Sequence, residues 1–403
     1  MIKRVPVDKL KPEMFVSDLN CDWIPHHQMQ TQGRIPDYAT IREISRRGIK
    51  EVYIDTERGI DTDDAETITE VEQQNQIKLD KAAELSMESA GSVSVEEELR
   101  RATQIHHKAK DLMANVLSDI KIGKPIDVEK FDDMADGMVD SVLRNHNALA
   151  CLGRIRQKDN YLMEHSINLA VLMGIFAKTV KLPRETMQQA VLGAMLHDIG
   201  KIMVPDDVLH KPGKLNDDEF EKMRQHVIFS RDLLSKTPGI HQLTIDVAAQ
   251  HHERIDGSGY PMGLTGCQIC KEGKMVAITD VYDAITADRC YHKGMTPTAA
   301  LKKLLEWSGT HLDEALVHRF IRCMGIYPVG SLVMLDSGRL AVVIEASESN
   351  QNQPMVKVIF NSKTKNYLPV EIIDLSKPTT QDFIRHAVDP EKWHIRIGDF
   401  LDS

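Results

Sequence analysis

Three observations predict a mainly α fold. Between Val128 and Cys323, segment after segment carries apolar residues at three- and four-residue spacing, the period of a buried helix face. Before about residue 60, and again after Tyr327 and Pro328, the pattern changes to short apolar pieces broken by proline, glycine and asparagine, as in small sheets. A polar, acidic stretch separates the first of these regions from the helical one. A chain of 403 residues can hold two or three domains. The expected division is a small α+β N-terminal domain (1–60), an acidic linker and connecting helix (61–124), an all-helical domain (125–325) and a small β-rich C-terminal appendage (326–403).

In the first region Val5, Val7, Met14 and Val16 lie in strand-like pieces interrupted by Pro6, Pro12 and Pro25. Asp37 to Arg47 has helical spacing through Tyr38, Ile41 and Ile44; Gly48 ends that helix and Val52, Tyr53 and Ile54 form a strand. The run from Asp61 to Glu98 is dense in carboxylates, as solvated linkers and helices are. From Glu96 to Ile120, Leu99, Ile105, Leu112, Val116 and Leu117 mark a long amphipathic helix that packs on the core or pairs in a homodimer.

The helical domain is expected to contain Met134–Leu149, Leu162–Val180, Pro183–His197, Asp217–Ser235, Leu243–His252, Lys274–Ala287 and Pro297–Trp307. Asn216 followed by Asp217, Asp218 and Glu219 is a good helix start. Strands are expected over Ser331–Asp336, Leu340–Glu345 and Met355–Phe360, with a turn at Ser337 and Gly338.

A net charge of −10 argues against a broad face for duplex nucleic acid. A small anionic ligand remains compatible, because the charge inside a pocket decides that. No apolar run has membrane-spanning length, and the start at Met1 shows no signal peptide, so the expectation is a cytoplasmic protein with no membrane partner. The six cysteines are scattered, as reduced thiols are. Cys267 and Cys270 have zinc-ribbon spacing but no second pair to complete four ligands. His26–His27 and His106–His107 lack matching acidic partners and are expected at the surface.

Three strings carry chemistry: His197-Asp198-Ile199-Gly200-Lys201, His251-His252-Glu253-Arg254-Ile255-Asp256-Gly257-Ser258-Gly259-Tyr260-Pro261, and Asp280-Val281-Tyr282-Asp283-Ala284. A His-Asp pair, a His-His pair and a later Asp suit two adjacent divalent cations, with one carboxylate bridging them. Side chains adjacent on a helix diverge by about 100°, so His197 and Asp198 can serve different cations. The second string is not a zinc-protease HExxH, since Ile255 and Asp256 stand where the second His would be needed. Gly257 and Gly259 permit backbone angles closed to other residues, and Pro261 stiffens the exit. Asp280 and Asp283 share a helix face one turn apart; Asp283 either orients a ligand from behind or caps the helix surface. Tyr260 either anchors its loop or stacks on a base.

With Ala287, Asp288, Arg289, Cys290 and Tyr291 continuing the third string, residues 125–325 resemble the HD-GYP family, bacterial phosphodiesterases of cyclic dinucleotides within the HD superfamily. Residues 48–55 and Trp23 resemble the small companion domain often joined to such proteins. The resemblance implies an HD-type metal phosphohydrolase domain with seven ligands, His165, His197, Asp198, His226, His251, His252 and Asp280. It implies a metal-bridging hydroxide that attacks a phosphodiester. With no thiol in the set, iron or manganese is expected rather than zinc. Some family members bind a third metal through a Glu one turn before the first histidine; here Tyr161 stands there, with Glu164 beside His165, and two metals are expected. Lys201 would stabilise phosphate charge or help protonate the leaving group. Lys201, Arg254, Asp256, Gly257, Gly259, Tyr260, Pro261 and Arg289 would line the substrate site, with His292 or Lys293 as a further cation. The implied reaction is cyclic di-GMP to pGpG and onward to GMP. The alternatives are 3′,3′-cyclic GMP-AMP as substrate, a cyclic-dinucleotide receptor or scaffold with little turnover, or a mononucleotide phosphohydrolase. The signature loop would also serve a signalling-protein partner.

Overall fold

A computed structural model describes residues 1–21, 32–83, 93–153, 161–287, 294–347 and 350–401. Two units divide it, one of residues 1–78 with 206–222, the other of 79–205 with 223–403. Trp23, His26, His27, Arg289, His292 and Lys293 lie outside the described residues.

The first unit is built on β1 (Ile2–Pro6), β2 (Phe15–Asp18), β3 (Gly33–Arg34), α1 (Tyr38–Arg46), β4 (Glu51–Asp55) and β5 (Glu66–Thr67), followed by the start of α2 (Ile68–Ala83). The sheet order is β3-β2-β4-β1-β5, with Val5 opposite Val52 in an antiparallel ladder. Val5, Val16, Val52 and Ile54 alternate onto its covered face, and Ile44 of α1 is buried. Asp37 caps α1 by accepting from Thr40 N, and Gly48 turns the chain away at φ +78. The sheet runs past residue 60, because Glu66 of β5 pairs with Arg4 of β1.

The second unit begins with α3 (Val95–Lys121), α4 (Val128–Leu152), α5 (Tyr161–Thr179) and α6 (Arg184–Leu196). There follow α7 (Asp206–Leu209), α8 (Asp217–Ser235), α9 (Gln242–Gln250), α10 (Lys271–Thr286), α11 (Pro297–Trp307) and α12 (Glu314–Met324). Of these, α7 and the first turn of α8 belong to the first unit. Asn216 and Glu219 cap α8 reciprocally, each side chain accepting from the other's backbone N–H. Every described residue from Ser166 to Ala177 in α5 is buried, so this helix is the centre of the bundle.

Along α3 the buried positions are Glu98, Ala102, His106, Ala109, Met113 and Val116. His106 is therefore not the surface residue its sequence context suggested; burial pushes its imidazole down to about 4, keeping it neutral. His107 is exposed, as expected. Glu98 is fully buried because Arg144 of α4 meets it with two nitrogens, at 2.7 and 2.8 Å. The acidic run thus supplies a core ion pair as well as solvated charge. α4 leaves helical geometry at Asn145, whose side chain accepts from Asn147 N at 3.0 Å.

The C-terminal strands are β6 (Leu332–Leu335), β7 (Arg339–Glu345), β8 (Met355–Asn361), β9 (Asn366–Asp374) and β10 (Ile384–Ala387), in the antiparallel order β10-β6-β7-β8-β9. Gly338 makes the expected turn at φ +82. β9 and β10 escaped the sequence reading, because β9 exposes Tyr367, Val370 and Ile372 and lacks clean alternation. Leu332, Leu340, Val342 and Ile359 form one core with Cys151, so this sheet is seated on the end of α4. Among the described residues no helix is long and apolar enough to cross a membrane.

Candidate metal centre

Five helix ends and faces converge in the second unit. His165 projects from α5 and His226 from α8. His197 is the C-cap of α6, and Asp198 opens the 3-10 turn Ile199–Met203. His251 is the C-cap of α9 with His252 following, and Asp280 and Asp283 lie on α10. Gly200 lets the turn seat against α8: a Cβ there would stand 2.2 Å from His226 O, and Gly200 N donates to Ser230 Oγ.

The ligand atoms fall into overlapping groups, each within 4.8 Å internally: His165, His197 and Asp280; His226, His251 and His252; and His197, Asp198 and His251. Asp198 joins them. Its Oδ2 lies 3.1 Å from His197 Nε2 and 3.7 Å from His165 Nε2; its Oδ1 lies 3.2 Å from His226 Nε2 and 3.9 Å from His251 Nε2. All seven residues proposed from the sequence are brought together.

The imidazole orientations fit cation binding. Nδ1 of His197, His226 and His251 donates to the carbonyls of Ala194, Met223 and Ala248 at 2.8, 2.6 and 2.7 Å. A carbonyl only accepts, so each Nδ1 carries a hydrogen and each Nε2, the atom that bears the lone pair when a ring is neutral, faces inward. His165 Nε2 and His197 Nε2 are 3.2 Å apart, and His226 Nε2 and His251 Nε2 are 3.4 Å apart. Facing lone pairs at that distance repel unless a cation or proton lies between them. Asp198 Oδ1 is buried and has no partner in hydrogen-bond geometry. These are the donors and the orphaned acceptor expected of a divalent-metal site.

Electrostatics agree. Burial opposes charge on His251, pushing it down to about 3, and holds His252 well below its ordinary value. Burial opposes ionisation of Asp198, but His197, Lys201 and the other histidines around it outweigh burial and hold the carboxyl well below its usual range. Burial likewise opposes charge on His165, yet Asp280 and Asp283 raise it to about 9.

Behind the ligands, Asp283 accepts from His165 Nδ1 at 2.7 Å through Oδ2 and from Asn168 Nδ2 through Oδ1. Glu164 points away from the cluster and pairs with Lys110 of α3 at 2.6 Å. Lys201 Nζ reaches Asp198 Oδ2 at 2.5 Å from a partly exposed position at the edge of the cluster.

The signature loop closes over His252. Tyr260 is buried, its ring centroid 4.7 Å from that of His252, which matches the anchoring alternative. Gly259 packs where a Cβ would lie 2.4 Å from Arg254 N, and Gly257 has φ +80. The peptide between Tyr260 and Pro261 is cis. Arg254 reaches Ser258 Oγ at 3.5 Å. Asp256 turns to Ser258 and to His311 Nδ1, 3.3 Å away. Cys270 caps α10 by accepting from Gly273 N, and burial pushes its thiol up to about 11, a poor thiolate ligand; the five described cysteines are all free.

Sequence reasoning missed Glu253, Asn168, His311 and Arg224. Buried Glu253 accepts from Met262 N and Leu264 N, both at 2.8 Å, and so ties the loop's exit to its entrance. Asn168 had a local signal, lying one turn after His165 on the same face. His311 had none, because the fold alone brings it to Asp256. Arg224 lies over the Tyr260 ring, 4.7 Å from its centroid.

Residues 150–316 match the HD domain family, residues 2–131 a domain of unknown function (DUF3391), and residues 332–395 a KOW domain associated with HD domains. The chain belongs to the HD-GYP family of HD-domain cyclic dinucleotide phosphodiesterases. It is 37% identical over 405 residues to cyclic di-GMP phosphodiesterase PA4108 of Pseudomonas aeruginosa, covering 99% of this chain and 95% of that protein. The cyclic di-GMP phosphodiesterase response regulator RpfG of Xanthomonas campestris is 37% identical over 44% of this chain and 48% of its own length. The 3′3′-cGAMP-specific phosphodiesterase 2 of Vibrio cholerae is 41% identical over 30% of this chain and 24% of its own. The HD superfamily is metal-dependent, and the His/Asp cluster described above is of a kind that can bind metals.

Proposed function

We propose that this protein hydrolyses a cyclic dinucleotide, cyclic di-GMP to pGpG and onward to GMP, with two divalent cations, iron or manganese. The observation that carries the reading is Asp198, whose two oxygens each face a different set of histidines. His165, His197 and Asp280 would hold one cation, His226, His251 and His252 the other, with Asp198 between them. When bound, such a pair supplies an activated water and positive charge against the phosphodiester. An all-nitrogen and carboxylate donor set favours iron or manganese.

The chain's own residues do the rest. Asp283 fixes His165 so that Nε2, not Nδ1, faces the cluster. Lys201 places an ammonium at the edge of the site, where it can offset charge on phosphate or give a proton to the departing ribose 3′ oxygen. Glu253 and Gly259 hold the signature loop over His252, shaping the wall that meets the substrate. The full-length match to PA4108 supports cyclic di-GMP; the shorter matches to cGAMP-specific enzymes keep 3′,3′-cyclic GMP-AMP as the second substrate to test.

The test is metal analysis of anaerobically purified protein, with a chromatographic assay of the same sample against both dinucleotides. About two iron or manganese per chain with linear dinucleotide product is expected. A loaded centre that turns over neither would replace the enzyme with a receptor.

A further inference from the structure

Asp198 holds two posts at once. Besides facing the histidines, it is the N-cap of the 3-10 turn Ile199–Met203. An N-cap side chain ordinarily accepts from the N–H two or three residues on, a donor that the turn itself leaves unpaired. Asp37, Asp127, Asp313 and Asp389 do this in their own elements, accepting from the backbone N–H of Thr40, Lys130, Leu316 and Glu391. Asp198 makes no such bond. One of its oxygens is turned to His226, the other to His197 and Lys201. With both oxygens committed to the cluster, neither caps the turn.

The cap comes from α8 instead. Gly200 N, the donor two residues after Asp198, donates to Ser230 Oγ at 2.8 Å. Ser230 is fully buried and lies four residues after His226, on the same side of the helix. The seat is close: a Cβ on Gly200 would stand 2.2 Å from His226 O and 2.4 Å from Ser230 N. One turn of α8 therefore delivers an imidazole to the centre and a hydroxyl to the turn that carries Asp198 and Lys201. Gly200 is buried, and a buried N–H that loses its acceptor needs another. The carboxylate two residues back holds the ordinary capping position from which to supply it.

We propose that Ser230 is a positioning residue that caps the turn in place of Asp198 and so releases the Asp198 carboxylate to hold metal; the assignment rests on the metal reading above. Manganese affinity is to be measured by chelator competition for the wild type and Ser230→Ala, with hydrogen–deuterium exchange of the peptide 197–205 by mass spectrometry on the same proteins. In Ser230→Ala the metal must draw Asp198 away from Gly200 N. Manganese affinity is therefore expected to fall about tenfold, as on loss of other groups that orient a metal ligand. Adding manganese should speed exchange of that peptide in Ser230→Ala and slow it in the wild type. At saturating manganese, kcat on cyclic di-GMP should return to within about threefold of wild type, because bound metal recovers the carboxylate by mass action. A Ser230→Ala protein that melts lower yet binds manganese as the wild type does overturns the proposal, since the hydroxyl then does no more than satisfy a buried donor. So does exchange that manganese slows equally in both proteins. A wild type that binds manganese without turnover replaces the enzyme with a receptor, and the affinity and exchange results still decide the role of Ser230. A wild type that takes up no manganese overturns the metal reading and the proposal with it.

Discussion

Asp283 stands directly behind His165: its Oδ2 lies 2.7 Å from Nδ1, the ring nitrogen opposite the one that faces His197. The other oxygen is held by Asn168, so the carboxylate cannot swing away without breaking two buried contacts. Asp283→Asn keeps an acceptor but removes the charge that makes His165 a stronger donor. Metal affinity should fall about 10- to 100-fold, and Asn168→Ala should lower it less. Competition with a graded series of chelators measures this. Equal retention of metal by Asp283→Asn and wild type would leave Asp283 a mere helix-packing residue.

Asp198 turns one oxygen to each of the two sets of histidines, at 3.1 Å from His197 Nε2 and 3.2 Å from His226 Nε2. Asp198→Ala should therefore empty both positions together, rather than reducing metal content by half, and hydrolysis should vanish with it. Metal stoichiometry and product formation on the same preparation check the outcome. Full activity in this variant would show that the centre has been misassigned.

The bundle was legible because helical spacing is a local signal, whereas the grouping of His165 and His226 with the residues of the three strings came from the family resemblance, since a lone histidine on a buried helix face reads equally as a core residue. Helical spacing placed His165 and His226 mid-helix, and the two His-containing strings fell where apolar periodicity stopped. What stayed illegible depended on separation in sequence. His311 meets Asp256 only because the turn before α12 folds back on the loop, and Arg224 meets Tyr260 only because α8 and the loop are neighbours. Glu253 was read past because it sits inside a string whose flanking residues carried the argument; its own work is to bind two backbone N–H groups further on. His106 was misplaced because a polar doublet on an amphipathic helix has no visible sign of which member turns inward.

The signature loop should be intolerant at Gly259. A Cβ there would lie 2.4 to 2.6 Å from backbone atoms of residues 252, 253 and 254, none of which can rotate aside. Gly259→Ala should destabilise the protein by about 1–3 kcal/mol, a typical overpacking cost, and disturb His252 and so activity. Glu253→Ala, which strips the acceptors from Met262 N and Leu264 N, should cost a similar amount, about 1–3 kcal/mol, by leaving donors unpaired. Thermal melts of the metal-free proteins separate this loss from any loss of metal. Wild-type melting of Gly259→Ala would mean that the loop relaxes freely.

Asp256 gives the loop a pH dependence whose sign is fixed. Burial opposes its ionisation, but hydrogen bonds from His311 and Ser258 outweigh burial and hold the carboxyl well below its ordinary 3.8. A depressed folded value means that the ionised clasp stabilises the protein above that ordinary value and ceases to do so as pH falls through the depressed one. His311→Ala removes the first of those donors. At pH 6 to 7 it should lower stability by about 1 kcal/mol, a figure kept small because Asp256 retains contact with solvent. Between about pH 4 and pH 3 the two melting curves should approach each other as the wild-type advantage fades. Melting temperatures taken across that range decide it: a gap that stays constant down to about pH 3 would show that His311 contributes through its backbone bond to Ile255 and its packing, not through Asp256.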